Sequence, residues 1–349
     1  MEKIIHLCGR TGSSQIIVNG SVRQLPTAGE AAKTVIVTDE NVHRYHHRRF
    51  PPAAEVIILR TGETVKNLKT VESIYKRLLG CGADRSSFII GIGGGVVCDI
   101  TGFAASTFMR GLEFGFIPTT LLAQVDAAIG GKNGVNLSGF KNMVGVIRQP
   151  CFVLNDFSLL KTLPRKERMI GFSEIIKSAL IASRELFEFL ETNWAKAIEF
   201  ERDCLGRIIG ETVEIKTAIV RKDEQDKKER KKLNLGHTLA HAFEKSYGLT
   251  HGEAVSIGMV NASGISVRRG MMAESEAVRI RQLLQKFRLP VGIGLDPKRI
   301  LRAVRTDKKR EGPMIDFILL KSIGEAFIQR MPFADLEEAI HDLCESRHF

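Results

Sequence analysis

The chain contains no Cys-x-x-Cys pair, and its six cysteines, Cys8, Cys81, Cys98, Cys151, Cys204 and Cys344, are widely scattered. That spacing suggests neither a disulfide framework nor a thiolate zinc site, and makes small core residues the expected role of the cysteines. Long apolar runs are missing as well. None approaches the roughly 18 residues that cross a bilayer, and the opening MEKIIHLCGR lacks the apolar stretch of a signal peptide. A cytoplasmic protein with no membrane partner is the expectation. Internal repeats and low-complexity segments are absent too.

What remains has the composition of an ordinary globular chain, 44% hydrophobic and 26% charged. At 349 residues it exceeds the size at which one core usually keeps growing, which favours two domains. A formal charge of +11 fits nucleic acid, an anionic membrane or a small anionic substrate. Its densest stretch, RKDEQDKKERKK (221–232), also holds four acids and no aromatic side chain for base stacking. It reads as a solvated loop or helix end, and nucleic acid is set aside.

The first half alternates β-branched runs with helical stretches: TVIVT (34–38), EVIILR (55–60), NLKTVESIYKRLLG (67–80), FIIGIGGG (88–95), GFIPTT (115–120) and FVLN (152–155). In the stretch at 67–80 Leu68, Val71, Ile74, Leu78 and Leu79 recur at helical spacing. This alternation implies a parallel sheet flanked by helices. From about residue 158 the patterns are helical, through GFSEIIKSALIAS, NLGHTLAHAFEKSYG, AVSIGMVNASGISVRR and ADLEEAIHDLC. The chain therefore divides into an α/β domain at 1–157 and a helical domain at 158–349.

Three segments carry chemistry. In IIGIGGGVVCDITGFAAS (89–106) an apolar strand meets three glycines and then a helix pattern. Glycines there let the main chain approach a phosphate while the helix start offers free N–H groups; the G-x-G-x-x-G fingerprint is not present. In PTTLLAQVDAAIGGKNGVNLSGFKNMVG (118–145), Asp126, Lys132, Lys141 and Asn142 stand among glycines and small residues, which suggests anion recognition. In NLGHTLAHAFEKSYGLTHGE (234–253), His237 and His241 share a helix face and His251 opens the next helix pattern. A catalytic metal site takes three protein ligands. Glu174, embedded in apolar sequence, is the best carboxylate candidate, with Lys177 three residues on as an alternative ion-pair partner.

GGGVVCDITGFAAS, PTTLLAQVDAAIGGKNGVN, KNMVG, LKTLP, SEIIKSALI, LNLGHTLAHAFE and HGEAVSIGM follow in order over 93–260, and TDEN, TGETVK and TDKKREG extend the pattern over nearly the whole chain. The set strongly resembles the 3-dehydroquinate synthase family. The resemblance implies a Rossmann-like NAD-binding α/β domain followed by a C-terminal helical metal-binding domain. It implies a divalent metal, zinc or cobalt, on Glu174, His237 and His251, with His241 a phosphate contact. It implies NAD+ near Asp39, Asn41, Glu63, Lys66, Gly94, Gly95, Val96, Val97, Asp99, Thr119, Thr120, Lys132, Lys141 and the LLKT of Leu159, Leu160, Lys161 and Thr162.

The implied substrate is an anionic sugar phosphate, 3-deoxy-D-arabino-heptulosonate 7-phosphate, closed to 3-dehydroquinate with loss of phosphate in a redox-neutral turnover. Lys216 and Arg230 would meet its carboxylate. Lys132, Asn142, Asn234, His241 and one of Lys308 and Lys309 would meet its phosphate, with Arg110 arriving from the partner subunit of a homodimer. Asp126 and Lys177 complete the implied catalytic set. The competing readings are the amino-dehydroquinate synthase and a metal-dependent polyol oxidoreductase of the glycerol dehydrogenase type. Cys98, Asn133, Ala240 and Asp226 depart from the family pattern, and Cys98 is expected to sensitise the phosphate-binding turn to oxidation.

Overall fold

The computed structural model describes residues 2–24, 33–50, 55–294, 300–301, 310–311 and 314–345. They form two compact units, Met1–Glu167 with Lys216–Gln225, and Arg168–Ile215 with Asp226–Phe349. Lys308 and Lys309 lie outside the described residues.

The first unit is built on a seven-stranded sheet of β1 (Lys3–Gly9), β2 (Gly12–Val18), β3 (Thr34–Asp39), β4 (Glu55–Leu59), β5 (Phe88–Gly93), β6 (Glu113–Pro118) and β9 (Phe152–Asn155), in the order β1-β2-β9-β6-β5-β3-β4. Only β1 pairs antiparallel, with β2; every other pairing in this sheet is parallel. The central strands are covered on both faces, so β3 and β5 read as continuous apolar runs rather than alternating ones. Ile36, Ile90, Ile92, Ile117 and Leu154 fill the layer above them.

Helices α1 (Glu40–His46), α2 (Leu68–Gly80) and α3 (Gly95–Thr107) supply the covering layers. The Asn67 side chain caps α2 by accepting from the Thr70 amide, and Val71, Ile74 and Leu78 are the face it buries. A hairpin of β7 (Lys132–Leu137) and β8 (Phe140–Ile147) stands apart from the main sheet. From β3 the chain moves to β4 on one side, and β5 lies on the other. The carboxyl ends of β3 and β5 therefore flank a topological switch point, where open α/β sheets form their ligand crevice.

The second unit is helical, with α4 (Arg165–Ala182), α5 (Arg184–Ile198), α6 (Arg202–Lys222), α7 (His237–Tyr247), α8 (His251–Arg268), α9 (Glu274–Lys286) and α10 (Phe333–Glu345); the unit boundaries fall inside α4 and α6. Helix α8 is buried along nearly its whole length, as suits an interior helix. A Cβ added at Gly258 would lie 2.1 Å from the Gly236 carbonyl oxygen, and one at Gly252 would lie 2.7 Å from Ile170 Cα. Glycine at these two places is what lets α8 lie against the start of α7 and against α4.

Three details differ from the sequence reading. The second unit also holds an antiparallel sheet, β10 (Arg310–Glu311), β11 (Met314–Ser322) and β12 (Glu325–Pro332). Its longest strand buries Phe317, Ile318, Leu319 and Leu320 in succession, so no alternation marks it as a strand. The first unit runs past residue 157 because Leu159 belongs to its sheet core, and it regains Lys216–Gln225. Among the cysteines whose side chains are described, Cys98 and Cys204 are buried, Cys81 and Cys151 are half-buried and Cys8 is exposed on β1. Among the described residues no helix is long and apolar enough to cross a membrane.

Candidate functional site

In the first unit, β5 ends at Gly93 and α3 begins at Gly95, with Gly94 as a cap that has no side chain to occupy the helix N–H groups. A Cβ at Gly93 would fall 2.5 Å from Val97 Cβ, and one at Gly94 would fall 3.1 Å from Thr120 Cγ2. The turn is thus a bare main-chain donor array at a helix start, which suits an anion. Thr119 follows β6 and donates its amide to the Gly93 carbonyl at 2.9 Å; the Thr120 hydroxyl accepts from the Ala123 amide at 3.2 Å. Asp39, at the end of β3, caps α1 by accepting from the Asn41 and Val42 amides at 2.9 and 3.0 Å. Burial nonetheless raises its carboxyl above the usual range.

Asp99 on α3 forms an ion pair with the buried Lys66, whose ammonium also donates to Asn142 Oδ1 at 2.5 Å. Burial raises the Asp99 carboxyl even though the Lys66 ammonium pulls it down. Asn142 takes a left-handed backbone (φ 51°) and donates its amide to Asn136 Oδ1 at 2.8 Å, while Asn136 Nδ2 donates to Glu63 Oε1 at 2.8 Å. One polar chain therefore runs through Glu63, Asn136, Asn142, Lys66 and Asp99. Asp126 lies in a π-helical turn, Ala123–Ala127, and accepts from Lys216 Nζ at 2.6 Å. Lys132 and Lys141 are exposed on the β7–β8 hairpin.

Arg110 is exposed on a tight turn in which it and Met109 both have left-handed backbones, φ 70° and 48°. For two residues with long side chains this is a strained conformation, of the kind that collects at functional positions. Val96 stands at the start of α3, partly buried.

In the second unit three helices converge. Glu174 comes from the middle of α4, His237 from the first position of α7 and His251 from the first position of α8. Their ligand atoms all lie within 4.8 Å of one another. Glu174 Oε1 is 3.2 Å from His251 Nε2 and 3.9 Å from His237 Nε2. The glutamate is 1% exposed and also pairs with Lys177, so the ion pair and the imidazole contacts coexist. Burial alone would raise its carboxyl; the Lys177 ammonium and the His251 imidazole outweigh that and hold it at about 2. His251 is driven the other way. Burial depresses it, but Glu174 and Glu244 lift it to about 9.

His241 remains outside this triplet, its ring edge-on to His237 with centroids 5.9 Å apart. One oxygen and two nitrogen donors on fixed helices can hold a divalent cation of the zinc or cobalt type, with coordination positions left for a substrate. Arg230 is buried in a short turn, Glu229–Asn234, that ends at Asn234, so the basic run at 221–232 is only partly solvated.

Leu159 and Leu160, expected near a dinucleotide, are buried at 1% and 0% exposure, leaving only Lys161 and Thr162 of that segment outward. Thr162 bonds to His46 Nε2 at 2.9 Å. Val97 is likewise packed under Gly93. The Cys98 expectation is corrected: the thiol has no exposure, and burial raises it well above the ordinary thiol range, which removes the thiolate that oxidants attack. Asn133 is buried and holds the hairpin base, donating to the Gly131 and Arg148 carbonyls at 2.8 and 2.9 Å. Glu244, which the sequence reading passed over, lies 2.8 Å from His251 Nδ1. Its place at i+7 from His237 and i+3 from His241 was the available signal.

Residues 56–170 match the family model described as 3-dehydroquinate synthase N-terminal, and 171–310 the one described as 3-dehydroquinate synthase C-terminal. The chain is 39% identical over 305 residues to the 3-dehydroquinate synthase of Ruminiclostridium cellulolyticum, covering 84% of this chain and 85% of that one. Among solved structures it is similar to a 2-deoxy-scyllo-inosose synthase complexed with carbaglucose-6-phosphate, NAD+ and Co2+ (TM-score 0.87, 28% identity, 97% of this chain and 100% of that one). It is also similar to the 2-epi-5-epi-valiolone synthase ValA of Streptomyces hygroscopicus with NAD+ and Zn2+ bound (TM-score 0.86, 26% identity, 95% and 96% covered).

Proposed function

Since the chain belongs to the 3-dehydroquinate synthase family, we propose that it converts 3-deoxy-D-arabino-heptulosonate 7-phosphate to 3-dehydroquinate and phosphate, with NAD+ and a divalent metal as resident groups. The observation that carries this reading is the convergence of Glu174, His237 and His251 from three separate helices. When bound, the two groups supply a reversible hydride acceptor and a Lewis acid for a substrate hydroxyl.

The chain's own residues do the rest. The glycine turn and the start of α3 receive the dinucleotide diphosphate, with Asp39 at the neighbouring strand end for a ribose hydroxyl. Lys216, braced by Asp126, and Arg230 bind the substrate carboxylate, the guanidinium through a two-pronged contact. Lys132, Asn142, Asn234 and His241 bind the phosphate. A carboxylate site is what separates this substrate from a neutral polyol. The strained turn at Arg110 presents that side chain to a second copy in a homodimer. Zinc and cobalt both suit the donor set, and the cytoplasm is the setting in which the substrate is encountered.

The reading is tested by incubating the purified protein with NAD+, zinc and the heptulosonate phosphate while following phosphate and the NADH absorbance together. Phosphate released with no net NADH is the expected result. Accumulating NADH without phosphate would identify a polyol oxidoreductase instead.

A further inference from the structure

The two imidazoles of the triplet are held by different acceptors. His237 has Nδ1 3.2 Å from the Leu235 carbonyl oxygen, and His251 has Nδ1 2.8 Å from Glu244 Oε1. In both, Nε2 is the nitrogen turned toward Glu174. A neutral imidazole carries one proton, so a lone pair at Nε2 requires the proton at Nδ1. The group facing Nδ1 decides that tautomer and the ring's orientation, and a carboxylate does so more strongly than a carbonyl while making the ring a better donor.

We infer that Glu244 is a positioning residue for His251, a carboxylate that fixes the ring through Nδ1 and so turns Nε2 toward the metal. The inference rests on the metal reading above. It needs the main chain of His251 to be fixed as well, and two contacts do this. The Thr250 amide donates to Glu253 Oε2 at 2.9 Å and the Thr250 hydroxyl donates to the same oxygen at 2.5 Å, a capping box that anchors the first turn of α8. Gly252 then lies against Ile170, one turn before Glu174 on α4. Both the peptide and the ring of His251 are thus held, whereas Nδ1 of His237 faces a neutral carbonyl rather than a carboxylate. Glu244 sits at the far end of the same helix that starts with His237, with a side chain only 10% exposed.

The test measures zinc affinity by chelator competition on the full-length wild type, His237→Ala, Glu244→Gln and Glu244→Ala, together with the visible absorption bands of each cobalt-loaded protein. Glu244→Gln keeps the shape and offers a neutral carbonyl oxygen; Glu244→Ala offers nothing. The expected order is wild type tightest, Gln weaker and Ala weakest, spanning about 10–100-fold, with shifted cobalt bands in both Glu244 variants. Zinc affinity within twofold of wild type in both Glu244 variants, with His237→Ala emptied, would overturn the inference and leave the metal reading standing. Should Glu244→Ala fail to fold, the Gln variant decides alone. A wild type that binds neither ion would sink both.

Discussion

The glycine turn of the first unit offers only main-chain N–H groups at the start of α3 and leaves little room for a side chain, as the contacts at Gly93 and Gly94 show. The triplet of the second unit consists wholly of side chains carried by three helices, and Gly252, Gly236 and Gly258 let those helices cross closely. One arrangement is vulnerable to an added atom, the other to a removed one. Substitution patterns at the two places should therefore run opposite ways, and the following changes test that contrast, beginning with the largest.

Removal in the second unit should be close to absolute. His237→Ala and His251→Ala are expected to lose bound metal and all measurable turnover, because a three-ligand site cannot spare a member. His241→Ala should keep the metal and lose about tenfold to a hundredfold in rate, the worth of a charge-assisted contact of ~1.5–3 kcal/mol. Metal analysis alongside steady-state rates separates the two classes, and a metal-free His241→Ala would refute the assignment.

Addition in the first unit should be felt next. Gly93→Ala pushes a methyl to 2.5 Å from Val97 Cβ, and overpacking of this kind costs about 1–3 kcal/mol. Urea unfolding should show that loss, and NAD+ titration should show weaker binding. An unaltered NAD+ affinity would mean that the turn is structural only.

Acidity should act on the second unit through His251. Its ordinary value is 6.5 and the metal-free site lifts it to about 9, so below about 9 the ring must release a proton before it can bind a metal. Zinc affinity is therefore expected to rise up to about tenfold per pH unit between 6.5 and 9 and then level off. In the metal-free protein the sign reverses: the charged His251–Glu174 contact stabilises the fold below 6.5 and fades as pH rises through about 9. Glu174, held near 2, keeps its own contribution above its ordinary 4.5 and loses it only as pH falls from there toward 2. Chelator competition and melting curves at several pH values check both.

The smallest effect is expected at Cys98. Buried and protonated, it should make no difference to peroxide inactivation, so Cys98→Gly and the parent should lose activity at equal rates. A protected Cys98→Gly variant would show that the start of α3 opens in solution.

Much of the first unit was readable from sequence because local rules decided it. The Asn67 cap, the apolar spacing of α2 and the strand-glycine-helix segment each carry their own structural signal. The resemblance to the synthase family supplied the grouping of Glu174, His237 and His251. Spacing alone could not, since His237 and His241 share a face whether or not a metal is present. What separates them is the arrival of α8, which depends on the close backbone contact between Gly236 and Gly258, far apart in sequence. Leu159 and Leu160 looked available because their burial is set by a distant sheet, and β11 went unseen because both its faces are covered. Glu244 was missed because its role is toward another side chain rather than toward a ligand.

The return of Lys216–Gln225 to the first unit has a practical outcome. Glu224 accepts from the Arg10 amide, the Thr11 hydroxyl and Gln149 Nε2 at 2.7, 2.5 and 2.8 Å, tying that short segment to the β1–β2 turn. A gene truncated after codon 167 would encode a sheet without Glu224 to clasp its first hairpin and without Lys216 to neutralise Asp126. Anyone seeking an isolated nucleotide-binding fragment would have to graft those ten residues back, by circular permutation or as a separate peptide.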